Sequence, residues 1–329
     1  MWRRLPVQSA SNRQFPQGLD QLHLFTLLLA LWLIPSSSGL GQVPLAPIPA
    51  TRSPQEIAMQ ILFQSLHEAV WGQPALSDVR QSIQLRGHQM TGFGKYVREG
   101  QGTGKLRMSL QLPAGDQMNT LLQISDGELL VTQELIGSVS QRSRVDLGKV
   151  RERLVITTDS LNDPVIAMYL AIGGQAEVLR KLCQQYNWVK VEEGMLGAEP
   201  VWWLSGEMAV QPPSVRALSE VDTALFLPNQ SALLPTAAMV AIGRREASVP
   251  FWLFQIEQFR SSDEISGLGH RAQLSVATEW ASPTLLTPAQ LTEDLFESKL
   301  ANEHFAEETK LYLPPAPATA LAPQTKQLR

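Results

Sequence analysis

Cysteine is nearly absent: Cys183 is the only one in 329 residues. An intrachain disulfide and a zinc site built on several thiolates are therefore excluded, and the residue reads as a small buried hydrophobe. Charge is sparse as well, with 18% of residues Asp, Glu, Lys or Arg and a formal net charge of -4. Lys and Arg form no run longer than pairs such as Arg244-Arg245. The basic stripe that neutralises phosphates is thus missing, and no nucleic-acid partner is expected. His67, His88, His270 and His304 lie far apart and outside any short metal-ligand spacing. No G-x-S-x-G elbow occurs, since Gly137-Ser138-Val139-Ser140 continues into Gln141. Gly100 to Lys105 is glycine-rich, but Glu99 stands where a phosphate loop opens with glycine and Leu106 where it needs Ser or Thr. Acidic pairs such as Glu192-Glu193 and Asp263-Glu264 are adjacent in sequence. Such neighbours point to opposite faces of a strand or solvate a loop. With no catalytic or ligating constellation, neither an enzyme nor a cofactor is expected.

A bilayer-spanning apolar run is also missing. The stretch from Leu22 to Ile34, apolar except for His23 and Thr26, falls short of the roughly twenty residues that cross a membrane. Arg3, Arg4 and Arg13 precede it and SSSGLG follows, which is the order of an export signal. Residues 1–41 are expected to be cleaved after Gly41, releasing a soluble periplasmic protein; the alternative is an uncleaved anchor in the inner membrane. Residues 42–52 are a proline-rich linker, 53–313 a single domain, and 314–329 a disordered tail.

What is present is mostly strand. From Lys105 to Leu112 apolar and polar residues alternate strictly, placing Leu106, Met108, Leu110 and Leu112 on one face. Phe93 to Glu99 pairs with this run through the glycine-rich Gly100 to Gly104. Leu121 to Ser125 and Glu128 to Ile136 flank Asp126-Gly127, a pair suited to a type I′ turn. A weaker strand, Ser82 to Met90, leads into this meander, and Gln141 to Asp146 continues it. Before it, Ser53-Pro54-x-Glu56 is a capping box that opens a helix to about Val70, with Ile57, Ile61, Leu62, Leu66, Ala69 and Val70 on one face. After it, Asp146 caps a short helix, Asn162-Asp163-Pro164 starts another, and Gln175 to Tyr186 is a third, with Gly173-Gly174 between the last two as a point of movement. Strands resume at Asn187–Glu193, Pro200–Glu207, Ala237–Gly243, Pro250–Arg260 and Arg271–Trp280, with a weaker one near Leu295–Leu300. About ten antiparallel strands must curl or close, so the expected architecture is α+β, mainly antiparallel: a half-open β-barrel with an N-terminal helix and a helical lid.

The segment GKYVREGQGTGKLRMSLQL followed by LLQISDGELLVTQELIGSVSQRSRVDL resembles the outer-membrane lipoprotein carrier family and its LolA-like fold. The resemblance covers roughly residues 80 to 155, with Leu130 and Val131 where the family often has an aromatic residue. It implies a half-open barrel capped by helices, a binding role without catalysis, a lipid, lipoprotein acyl chain or other apolar ligand, and a membrane-associated protein that donates or accepts it. Residue patterns propose the cavity lining: Phe93, Leu106, Met108 and Leu110 from the first hairpin, Leu122 and Ile124 from the next strand, and Trp203 and Phe254 from the later aromatic strands, covered by Pro164 to Tyr186. The competing reading is a structural envelope protein whose barrel is filled by its own side chains.

Overall fold

Ser53 opens helix α1 (Pro54–Trp71) by the expected reciprocal bonds: its hydroxyl accepts from Glu56 N–H at 3.3 Å, and its own N–H donates to Glu56 Oε2 at 2.8 Å. Proline at the first helical position loses no bond, and Gly72 with Pro74 ends the element. Ala58, Ile61, Leu62, Ser65, Leu66, Ala69 and Val70 are buried at helical spacing, whereas Ile57 stays 37% exposed. In this computed structural model the described residues are 52–85, 88–154, 163–209, 235–261, 272–297 and 304–314. Residues 1–51 and 315–329, which include the expected signal and most of the linker and tail, lie outside them.

The strands that follow are β1 (Ala75–Leu85), β2 (His88–Arg98), β3 (Lys105–Ala114), β4 (Gln117–Asp126), β5 (Leu129–Ile136) and β6 (Val139–Asp146). Helices α2 (Leu147–Glu152), α3 (Pro164–Leu170) and α4 (Gly174–Gln185) come next. Then come β7 (Tyr186–Leu196), β8 (Glu199–Met208), β9 (Ala237–Gly243), β10 (Leu253–Ser261), β11 (Ala272–Leu285) and the short β12 (Ala306–Glu307). The expected strand at Ser82–Met90 is instead the end of one strand and the start of the next. Near Leu295 the chain makes a 3-10 turn (Glu293–Leu295), and 298–300 lie outside the described residues.

All of these strands form one twelve-stranded sheet in the order β12-β6-β5-β4-β3-β2-β1-β11-β10-β9-β8-β7. Two consecutive meanders, β1 to β6 and β7 to β11, are joined where β1 pairs with β11, Val79 opposite Trp280. Every pairing is antiparallel except β12 on β6. With β12 and β7 at its two ends, the sheet of the described residues is open, as the half-open barrel reading requires.

Helices α1 and α4 cover one face, the inner one. Ser65 Oγ donates to the Phe251 carbonyl at 2.7 Å, Gln55 accepts from Trp188 N–H, and Gln175 Nε2 donates to the Leu253 carbonyl at 2.8 Å. Leu62, Leu66, Leu204, Val240, Trp252 and Trp280 are at most 1% exposed. Each such leucine contributes about 1.5–3 kcal/mol through burial. The tryptophans of β11 and the residue before β10 are therefore core filling. Arg98, 2% exposed, is held between Glu68 at 3.6 Å and the Trp252 ring at 5.0 Å.

The turn after β4 differs from the type I′ expectation. Gly127 has φ +98°, but Asp126 stays outside the positive region and acts through its side chain, whose Oδ1 accepts from Glu128 and Leu129 N–H, both at 2.8 Å. An Asx turn does locally what two left-handed residues would otherwise do. Cys183 is partly buried, and burial pushes its thiol up to about 12.

Candidate functional site

Strands β3 to β6 build the site, and their register decides which side chains enter it. Directly opposed residues share a face. Leu106, Ser125, Leu130 and Val145 form one row across the inner face. The next row is Met108, Gln123, Thr132 and Ser143, and the third is Leu110, Leu121, Glu134 and Gln141. Ile136 opposite Val139 closes the series at the hairpin end.

Helix α4 roofs these rows. Its first residue is tied to the floor, Gly174 N–H donating to Gln123 Oε1 at 2.9 Å. The approach is close because Gly173 and Gly174 both lack side chains. A methyl at Gly173 would lie 3.0 Å from Leu130 Cδ2, and one at Gly174 would lie 2.6 Å from Tyr96 Cε2, with φ +78° and +55°. This glycine pair is packed against the sheet. Glu177, one turn on, accepts from Gly173 N–H at 3.0 Å and from the Tyr312 hydroxyl at 3.2 Å, and lies 3.3 Å from Lys181 and 3.4 Å from Arg180. Burial acts to raise its pKa, but these cations and the N–H outweigh burial and hold the carboxyl below its ordinary value.

The segment from Ala306 to Tyr312 forms the remaining wall. Ala306 and Glu307 pair in parallel with Ser143 and Arg144, Glu307 bridges Arg144 at 2.9 Å, and Thr309 Oγ1 accepts from Asp146 N–H at 2.7 Å. Between floor, roof and wall is a cavity of about 690 Å³. Met108, Leu121, Leu130, Ile136, Val145 and Val178 give it apolar surface; Gln123, Thr132, Ser143, Glu134, Gln141 and Lys181 give it polar surface. Tyr312 also borders a second, smaller groove of about 320 Å³ with Phe63, Val165 and Met168. The volume of the first is within the range of small-molecule sites.

Of the residues proposed from sequence, Met108 lines this cavity. Leu106 and Leu110 share its face but are packed into the core at 5% and 2% exposure. Phe93 is not on the inner face: it opposes Gln111, is 57% exposed and lies under the Arg80 guanidinium at 5.7 Å. The inner positions of β2 are Gly94, Tyr96 and Arg98 instead. Leu122 and Ile124 oppose Ser109 and Arg107, which puts them on the outer face, where Arg107 Nη1 reaches the Leu295 carbonyl at 3.4 Å. Trp203 opposes Ala241 in the other half of the sheet, on the face opposite Trp202 and Leu204. Phe254 sits in the β10 bulge against Gly243, whose added methyl would be 2.9 Å from Cε2. Neither aromatic lines the cavity. The residues missed, Leu121, Gln123, Thr132 and Ser143, were within reach of one signal. Gly115-Asp116 is a two-residue reversal between Ala114 and Gln117, Gly115 having φ +62°, and counting back from it pairs Leu110 with Leu121 and not with Leu122. The lid expectation holds for α4; α3 borders the second groove.

Among the described residues no cluster of three or more His, Cys, Asp or Glu is placed to hold a metal ion, and no helix is long and apolar enough to cross a membrane. No family model and no curated protein matches the chain. Solved structures do. LprF from Mycobacterium bovis is similar over 72% of this chain and 99% of its own, at 14% identity and TM-score 0.35. MucB is similar over 74% and 63%, at 12% identity and TM-score 0.37. The LolA superfamily protein NE2245 from Nitrosomonas europaea is similar over 73% and 97%, at 12% identity and TM-score 0.27.

Proposed function

We propose that this chain is an exported, periplasmic binding or carrier protein, non-catalytic, that shelters the apolar part of a lipid or acylated ligand in the cavity beneath α4. The observation that carries the reading is the cavity of about 690 Å³ over the inner face of β3 to β6. Side chains filling this part of the barrel would occupy that space, because protein cores pack to near-crystalline density. Apolar side chains lining a concave site are removed from water when an apolar group covers them, which drives binding at about 25 cal/mol per Å². A membrane-associated donor or acceptor for the ligand belongs to the same proposal.

The structural reading has its own support: α1 packs against β7 and α4, with Leu62 and Leu66 fully buried. The two readings separate in one experiment. Purified protein is titrated with an apolar fluorescent reporter and, in parallel, extracted with organic solvent to identify co-purifying lipid. Saturable binding that falls at least about tenfold in Val178→Trp, a substitution that fills the cavity from its partly exposed roof, supports the carrier. Absence of saturable binding and of lipid in the wild type leaves the structural role.

A further inference from the structure

The cavity floor is not uniformly apolar: its polar residues fall in two adjacent rows, Glu134 with Gln141 in one and an uncharged band in the other. Gln123, Thr132 and Ser143 stand side by side on β4, β5 and β6, in register across the sheet. Behind them Leu130 and Val145 close the cavity at 2% and 3% exposure. In front lie Leu121, Glu134 and Gln141, and beyond these Ile136 and Val139, the latter 56% exposed at the β5–β6 hairpin. Rows on one face are two residues apart, about 7 Å along the strands, so a ligand that fills the cavity lengthwise lies over the band.

Covering the band has a chemical consequence. Gln123 uses Oε1 on the Gly174 N–H and keeps its amide N–H groups for the cavity, while Thr132 and Ser143 each present a hydroxyl that can donate or accept. A plain hydrocarbon laid over them removes water and returns no hydrogen bond. A carbonyl oxygen at that depth accepts from them. The charged groups around the lining are of both signs, Glu134, Glu177 and Glu308 with Arg142 and Lys181, and this slight excess of carboxylates suits a head without net charge better than a bare carboxylate.

Resting on the carrier reading above, we infer that the ligand is an amphiphile with an ester or amide carbonyl between its apolar chain and a zwitterionic or uncharged head, and that the band of Gln123, Thr132 and Ser143 selects for that carbonyl. Simple fatty acids and hydrocarbons are the poorer ligands.

The test is competition against the apolar fluorescent reporter by two lipids that differ at one group: palmitoyl lysophosphatidylcholine and its ether analogue, which lacks the ester carbonyl. The ester displaces the reporter at about tenfold lower concentration in the wild type, the worth of one well-made hydrogen bond in a dry site. The double variant Thr132→Val, Ser143→Ala narrows the ratio to within about twofold, while Thr132→Ser, which keeps the hydroxyl, preserves it. Reporter binding by each variant shows that the cavity still forms. Equal displacement by ester and ether in the wild type overturns the inference and leaves the carrier reading intact. Absence of saturable reporter binding defeats the carrier reading itself. Displacement by a short neutral peptide and by neither lipid also overturns the inference, in favour of a polypeptide occupant.

Discussion

Helix α4 meets the sheet through two consecutive glycines, and replacing them one at a time by alanine measures how tightly the roof is held. Gly197 provides the baseline: its φ is +62° and a methyl there meets nothing within 4 Å, so Gly197→Ala carries only the cost of a left-handed backbone, about 1–2 kcal/mol. Gly173, at φ +78°, adds contacts of 3.0 and 3.2 Å with the ends of Leu130 and Leu106. Methyl ends of leucines yield by a few tenths of an ångström, so Gly173→Ala should cost little more than the baseline. Gly174→Ala is different in kind. Its methyl would lie 2.6 Å from Tyr96 Cε2, and that ring is 1% exposed with Trp252 at 6.2 Å on another side, so it has nowhere to go. Overpacking of this sort adds about 1–3 kcal/mol, for a total of about 2–5 kcal/mol. Urea unfolding of the three variants, read as shifts in midpoint at constant slope, gives the order Gly174, then Gly173, then Gly197. Three losses equal within about 0.5 kcal/mol would refute the packing argument and restore the glycine pair as an ordinary flexible joint.

Glu177 makes the roof sensitive to acid. Burial opposes its ionisation, yet Lys181, Arg180 and the Gly173 N–H hold its folded pKa below the ordinary value. Its stabilisation is therefore complete above the unfolded value of about 4.3 and is lost as pH falls through the lower folded value. Glu177→Gln should lose less stability than the wild type between neutral pH and pH about 3, measured by urea midpoints, and parallel losses would show that the carboxylate contributes nothing there. Phe93→Ser, on the exposed outer face, should change stability by no more than about 0.5 kcal/mol and leave reporter binding as it is; a loss of binding would place the site on the wrong face.

How far the sequence alone reaches depends on which physical scale decides each feature. Capping is a matter of three or four residues, so the start of α1 at Ser53 and Pro54, of α2 at Asp146 and of α3 at Asp163 was readable directly. Strict alternation in β3 needs only the two-residue period of the backbone, and it placed Leu106, Met108 and Leu110 on one face together. Where both faces carry apolar residues the same period is silent. In β4, Leu121 faces the cavity while Leu122 and Ile124 face outward, and a slip of one residue exchanges them. In β2 the inner face shows glycine, tyrosine and arginine, so Phe93, the conspicuous apolar residue, pointed to the wrong side.

Only the tertiary structure decides which face of the sheet carries the helices and what remains empty beneath them. β1 joins β11 across some 200 positions of chain, as Gln81 does Thr278 through a 3.3 Å hydrogen bond, and no local pattern encodes such a partner. The same holds for the rows of the cavity. Gln123, Thr132 and Ser143 are unremarked polar residues in three separate strands, and they become one band because antiparallel register sets them side by side. Sequence thus determines strands and caps, whose energetics are local. Register, curvature and packing against distant helices determine the site, because those depend on contacts the chain makes only once it has folded.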